Sequence, residues 1–171
     1  EKAFDLWQQI KNAYPPVEEQ ESPYHAVTVS LVKLTGGKGN SKVPSECEMR
    51  VDIRVPPQFT VAQVFNVVES VIELYQTANP KVSVKVAIWD QNEPFEVAKN
   101  SVLVRALSYA IRKVRNKPAT LLRKTGTGDM NILGRAMSIP IVTYGPGDSH
   151  LDHTKDEHID ISEYLASIQV Y

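Results

Sequence analysis

Three of the chain's four histidines crowd into one short stretch, GPGDSHLDHTKDEH at residues 145–158. His150, His153 and His158 alternate there with Asp148, Asp152, Asp156 and Glu157. Neutral imidazole and carboxylate together form a donor set suited to Zn²⁺ or a similar divalent ion. The stretch follows an apolar run, IPIVTY at 139–144. It is therefore expected at the C-terminal end of a strand, where α/β sheets place ligand sites. A solvated acidic loop with surface histidines is the alternative reading. A complete metal site needs three or four ligands, and this spacing matches no closed-site pattern.

A second candidate is KTGTGDMNIL, Lys124 to Leu133. A glycine-rich turn feeding a helix presents free backbone N–H groups to a carboxylate or phosphate. It is not a P-loop, because no Gly-Lys-Ser/Thr closes it. The plainer reading is a strand-to-helix turn with Asp129 as the N-cap. The third candidate is Arg54, on the polar face of its strand beside Asp52. Its guanidinium could grip a substrate carboxylate in bidentate fashion, or make a surface cross-strand pair. Nucleophile arrangements are scarce. Ser149 and His150 are adjacent, but no Gly-x-Ser-x-Gly elbow exists. Cys47 alternates onto an apolar strand face and is read as core.

The elements that must carry these residues follow from periodicity. Phe4, Leu6, Trp7, Ile10 and Ala13 predict a helix over 1–13, stopped by Pro15-Pro16. Residues 26–34 and 47–54 alternate as half-buried strands, separated by a loop containing Gly36, Gly37 and Gly39. Thr60 is placed to cap a helix that ends at Asn79-Pro80, and 82–89 alternate again. Helix–strand–strand–helix–strand, with one strand before residue 1, is the split βαβ, ferredoxin-like pattern. After a polar linker, a helix at 101–115, a strand at 119–123, a helix at 129–137, a strand at 139–144 and a last helix at 161–170 are expected. The chain thus reads as α/β. A ferredoxin-like α+β unit covers 1–92, and a fragment of a helix-flanked, mainly parallel sheet covers 93–171.

Composition bounds what these elements can do. The chain has 171 residues, 42% hydrophobic and 23% charged, with net charge −1. Such balance argues against a duplex-DNA partner, which needs a cationic face. No apolar run approaches the ~18 residues of a membrane span. The single cysteine excludes an internal disulfide. The cytoplasm is the expected location. The chain opens with Glu1 rather than Met and runs straight into helical periodicity, which reads as a piece of a longer polypeptide.

His153-Thr-Lys-Asp-Glu157, Thr125-Gly-Thr-Gly-Asp129 and Val51-Asp-Ile-Arg54, in their order along the chain, carry a resemblance. The chain resembles the C-terminal part of the two-zinc metallopeptidase family that contains acetylornithine deacetylase, succinyl-diaminopimelate desuccinylase, aminoacylase and glutamate carboxypeptidase. In that family a catalytic α/β domain is interrupted by a lid domain that mediates dimerisation. The resemblance makes residues 1–92 the lid, lacking its first strand, and 93–171 the end of the catalytic domain. Carried over, His153 is a metal ligand, followed by the acidic Glu157, while His150 and His158 are not ligands. Thr125, Gly126 and Thr127 line the substrate pocket, and Arg54 meets the substrate's carboxylate. The family's lid-loop Asn-Val-Ile-Pro becomes Asn40-Ser41-Lys42-Val43-Pro44 here. Ser41 takes the aligned position and Asn40 stands one place away.

The stretch YGPGDSHLDHTKDEHIDISEYL with TGTGDMN is most similar to one branch. That branch frees lysine or ornithine from an amino-group carrier protein in lysine and arginine biosynthesis. The resemblance implies amide hydrolysis by a water bound between two zinc or cobalt ions. The general base and the other ligands belong upstream, so the truncated chain is expected to be inactive alone. Expected partners are a second copy, through the lid, and a small-molecule or carrier-linked amino acid. Nucleic acid and membrane are not expected. Rival readings are a dimerisation or ligand-binding module without catalysis, and a stand-alone regulatory domain that binds amino acids without metal.

Overall fold

A computed structural model describes residues 1–37, 39 and 42–171. Asn40 and Ser41, two of the expected substrate contacts, lie outside the described residues. The chain divides into two compact units. The first comprises Glu1–Pro94 with Lys124–Thr127, and the second comprises Phe95–Arg123 with Gly128–Tyr171.

In the first unit, helix α1 (Lys2–Asn12) and helix α2 (Val61–Ala78) cover one face of an antiparallel hairpin of β1 (Thr28–Gly36) and β2 (Cys47–Arg54). The core is the sum of their apolar faces. Leu6 and Ile10 come from α1, Val27 and Val29 from β1 and the residue before it, and Val64, Val68, Ile72 and Tyr75 from α2. Met49, Val51 and Ile53 of β2 are half-buried against it, while Arg50, Asp52 and Arg54 point to solvent. This is the period-2 alternation of a one-sided sheet. Two tyrosines give the α1–α2 packing direction. Tyr75 donates to the Lys2 carbonyl at 3.0 Å and Tyr14 to the Val64 carbonyl at 2.8 Å. Burial raises the pKa of both phenols, so they remain donors. The start of α2 is a capping box. Thr60 Oγ1 accepts from Gln63 N at 3.2 Å, and Gln63 Oε1 accepts from Thr60 N at 2.8 Å.

Two expectations change here. Cys47 is exposed rather than core. It pairs with Gly36 at the turn end of the hairpin, where the partner has no side chain to cover it. A bulge between Leu31 and Lys33 leaves Val32 unpaired and exposed. Val82 and Val84 pack on the core as the alternation requires, yet 82–89 form no strand. Val84 N–H is taken instead by the Gln76 side chain at 2.8 Å.

In the second unit, helix α3 (Val102–Arg115) packs with helix α5 (Ile161–Val170), and α4 (Asp129–Met137) lies between them in sequence. Ser101 caps α3 and Asp160 caps α5. Three cations, Arg112, Lys113 and Arg115, fill the last turn of α3, where the helix dipole favours them. α4 begins at a glycine N-cap, Gly128, so Asp129 is the first helical residue and not the cap. Gly134 of α4 is buried with Phe95 against it, and a Cβ there would stand 2.3 Å from the ring. Residues 119–123 and 139–144, expected as strands, carry no ladder among the described residues.

Candidate functional site

Arg54 ends β2, opposite Thr28. Alternation puts it on the polar face with Asp52, and its Nε lies 3.4 Å from Asp52 Oδ2. Its Nη1 donates to the carbonyl oxygen of Thr125 at 3.1 Å. Gly126 follows, and a Cβ at that position would sit 3.9 Å from the same Nη1. The fold therefore brings three of the expected substrate residues together: Arg54, Thr125 and Gly126, with Thr127 next in the chain. The Arg54 side chain is half exposed. Its Nη2 group makes no hydrogen bond among the described residues, which leaves a planar donor edge for an anion.

The turn that leads on into α4 is organised differently from the sequence reading. The Asn131 side chain folds back and accepts from Gly128 N at 3.2 Å. One of the free N–H groups that an anion would use is therefore already engaged. Asn131 is buried, and its role was visible only as a polar residue at the third helical position.

The histidine-rich loop shows a clear difference among its three imidazoles. Asp148 caps a single 3-10 turn, Ser149–Leu151. Its carboxylate accepts from His150 N at 2.9 Å and lies 2.8 Å from His150 Nδ1. Those bonds, the backbone one foremost, hold the Asp148 carboxyl below the usual range. His158 Nδ1 lies 2.6 Å from the Asp156 carbonyl oxygen. His153 differs from both. It sits in the left-handed region at φ 64°, uncommon for a non-glycine residue. Its backbone N–H donates to Glu157 Oε2 at 3.0 Å. Among the described residues its ring makes no hydrogen bond. An exposed imidazole can offer either nitrogen to a metal, while a ring bonded through Nδ1, as in His150 and His158, can offer Nε2, so ring bonding does not choose among the three. No group of three or more His, Cys, Asp or Glu gathers with metal-holding geometry among the described residues. These residues thus fit one ligand position of a metal site and not a whole centre.

Sequence reading missed Glu163 and Arg115. Arg115 Nη2 donates to Glu163 Oε1 at 2.7 Å, and Gly147 N donates to Glu163 Oε2 at 3.4 Å. No pattern in the sequence pairs the two, because the helix dipole alone accounts for the cations at the end of α3. No helix among the described residues is long and apolar enough to cross a membrane.

Comparison with known proteins gives the family. The model of "Peptidase family M20/M25/M40" matches residues 7–171. A LysW-lysine/LysW-ornithine hydrolase of Saccharolobus solfataricus is 30% identical over 167 residues, covering 98% of this chain and 44% of that protein. A LysW-lysine hydrolase of Deinococcus radiodurans is 46% identical over 72 residues, 42% of this chain and 20% of that protein. The chain thus spans less than half the length of the curated relatives it matches. Among solved structures, an M20 family metallo-carboxypeptidase from Sulfolobus solfataricus superposes with a TM-score of 0.70 at 17% identity. The match covers 97% of this chain and 43% of the other, and it shows the shared mixed helix-and-strand fold. With a family match running from Trp7 to the last residue, the chain belongs to peptidase family M20/M25/M40.

Proposed function

We propose that this chain supplies the lid and the C-terminal catalytic segment of a metal-dependent hydrolase that frees lysine or ornithine from a carrier protein. The observation that carries this reading is His153. It stands four residues before Glu157, whose carboxylate accepts its backbone N–H, inside a family match whose curated relatives are named for that hydrolysis. Two divalent ions, zinc or cobalt, would supply an activated water and Lewis acidity when bound. The chain's own residues have separate tasks. His153 offers one imidazole ligand, and Glu157 fixes the backbone that aims it. Arg54 offers its open guanidinium edge to the substrate's carboxylate, while Thr125 holds that side chain in place. Gly126 leaves room beside it. The remaining ligands and the general base are assigned to a preceding segment, so this chain alone is expected to give no turnover. A cytoplasmic homodimer formed through residues 1–92 completes the reading, with 93–171 as the catalytic portion.

The test uses the full-length protein that carries this sequence. Metal is counted per chain, and release of lysine or ornithine from the carrier is followed for wild type and His153→Ala. About two ions in wild type, with metal and turnover both reduced in the variant, is the expected result. Unchanged metal and turnover in His153→Ala would sink the assignment.

A further inference from the structure

Both ends of the loop that carries His153 meet the start of α5. The loop enters at Gly147 and leaves at Asp160, the N-cap of α5. Several bonds inside the loop run over short sequence distances. Asp148 caps its own turn, Thr154 N and Oγ1 both donate to the Leu151 carbonyl, and Glu157 N donates to the Thr154 carbonyl. Bonds of this kind shape the loop but do not fix it on the unit.

Glu163 does what those local bonds cannot. It lies in the first turn of α5, and its two carboxylate oxygens face different elements. Oε1 takes the Arg115 guanidinium from the end of α3, and Oε2 takes the Gly147 amide at the loop's entrance. The loop's exit closes against the same glycine. A Cβ on Gly147 would lie 2.9 Å from Ile159 Cγ2, and Gly147 itself has φ 97°. Entrance and exit are thus in contact, and the anchor at that neck is one carboxylate held in place by one arginine. Arg115 carries its charge with added security, since the hydrogen bond to Glu163 raises its pKa.

We infer that Glu163, oriented by Arg115, is a positioning residue for the His153 loop, setting where the imidazole stands without touching metal or substrate. The metal consequence rests on the proposed role of His153, whereas the loop-anchoring consequence does not. Outer-shell partners of metal ligands typically change metal affinity about 10- to 100-fold when removed, and the same range is expected here.

The experiment compares wild type, Glu163→Ala, Glu163→Gln and Arg115→Met in the full-length protein. Two quantities are read: amide hydrogen exchange over residues 147–159, and zinc dissociation measured with a chelator. Faster exchange across the loop and at least tenfold weaker zinc in Glu163→Ala are expected. Glu163→Gln keeps an acceptor for Gly147 and should fall between Ala and wild type. Unfolding of the second unit is monitored by exchange in α4, in the same unit as the loop, which should stay protected. Loop exchange equal to wild type in both Glu163 variants would overturn the inference. Faster loop exchange with unchanged zinc, while His153→Ala loses zinc, would overturn the positioning inference; unchanged zinc in His153→Ala as well would instead overturn the proposed ligand role of His153.

Discussion

Arg54 and Thr125 are 71 residues apart in the chain, yet the Arg54 guanidinium donates to the Thr125 carbonyl at 3.1 Å. A strand end and a glycine-rich turn, each an ambiguous signal alone, meet at one hydrogen bond. The bond uses one donor of the guanidinium and restrains its plane. The side chain is then pre-set to meet a second acceptor, which lowers the entropy lost when an anion binds.

Under the role proposed for Arg54, its replacement acts on substrate capture. Hydrogen bonds to charged groups are worth about 1.5–3 kcal/mol, so Arg54→Ala is expected to lower kcat/KM about 10- to 100-fold, mainly through KM. Arg54→Lys should recover only part, because an ammonium cannot reproduce the planar fork. Steady-state kinetics of the full-length protein decide this. A KM unchanged in both variants would remove Arg54 from the substrate's path.

Gly134 gives a prediction about stability alone. It is buried, and a Cβ would stand 2.3 and 2.4 Å from two atoms of the Phe95 ring. Gly134→Ala gains helix propensity but overpacks the contact, for a net loss of about 1–3 kcal/mol. Phe95→Leu in the same chain should relieve much of that loss. Urea unfolding of the two single variants and the double variant measures the coupling. Full additivity would show that the ring moves aside at no cost.

Asp160 predicts a pH dependence. Its carboxylate accepts from the Ser162 hydroxyl, from Glu163 N at 3.1 Å and from Ser162 N at 2.7 Å, and these bonds hold its pKa below the ordinary aspartate value. A depressed folded pKa means the unfolded chain binds the proton more readily. The stabilisation is then complete above the unfolded value, near pH 4, and is lost as the pH falls through the lower folded value. Wild type should be more stable than Asp160→Asn at pH 7, and the gap should close toward pH 2–3. Thermal unfolding across that range gives the answer, and a gap that widens on acidification contradicts it.

The five α-helices among the described residues were legible in the sequence because their determinants are local. The apolar faces of α1 and α2 recur at helical spacing, Thr60 and Ser101 cap within three residues, and Pro15-Pro16 and Asn79-Pro80 mark the ends. The β1–β2 alternation was legible for the same reason, as was the clustering of histidines at 150–158. Three other segments looked like strands and carry no ladder among the described residues, since a ladder depends on a partner that no local pattern names. Cys47 shows the same limit. Its parity along β2 pointed inward, but burial depends on what lies across from it, and that is Gly36. The pairing of Arg54 with Thr125, the free ring of His153 against the engaged rings of His150 and His158, and the Glu163 tie to Gly147 were decided only in three dimensions. Each is a hydrogen bond made or left open by a neighbour whose position is set by packing. Residue type and spacing state which groups are available, and the packed chain states which of them are already spent on one another.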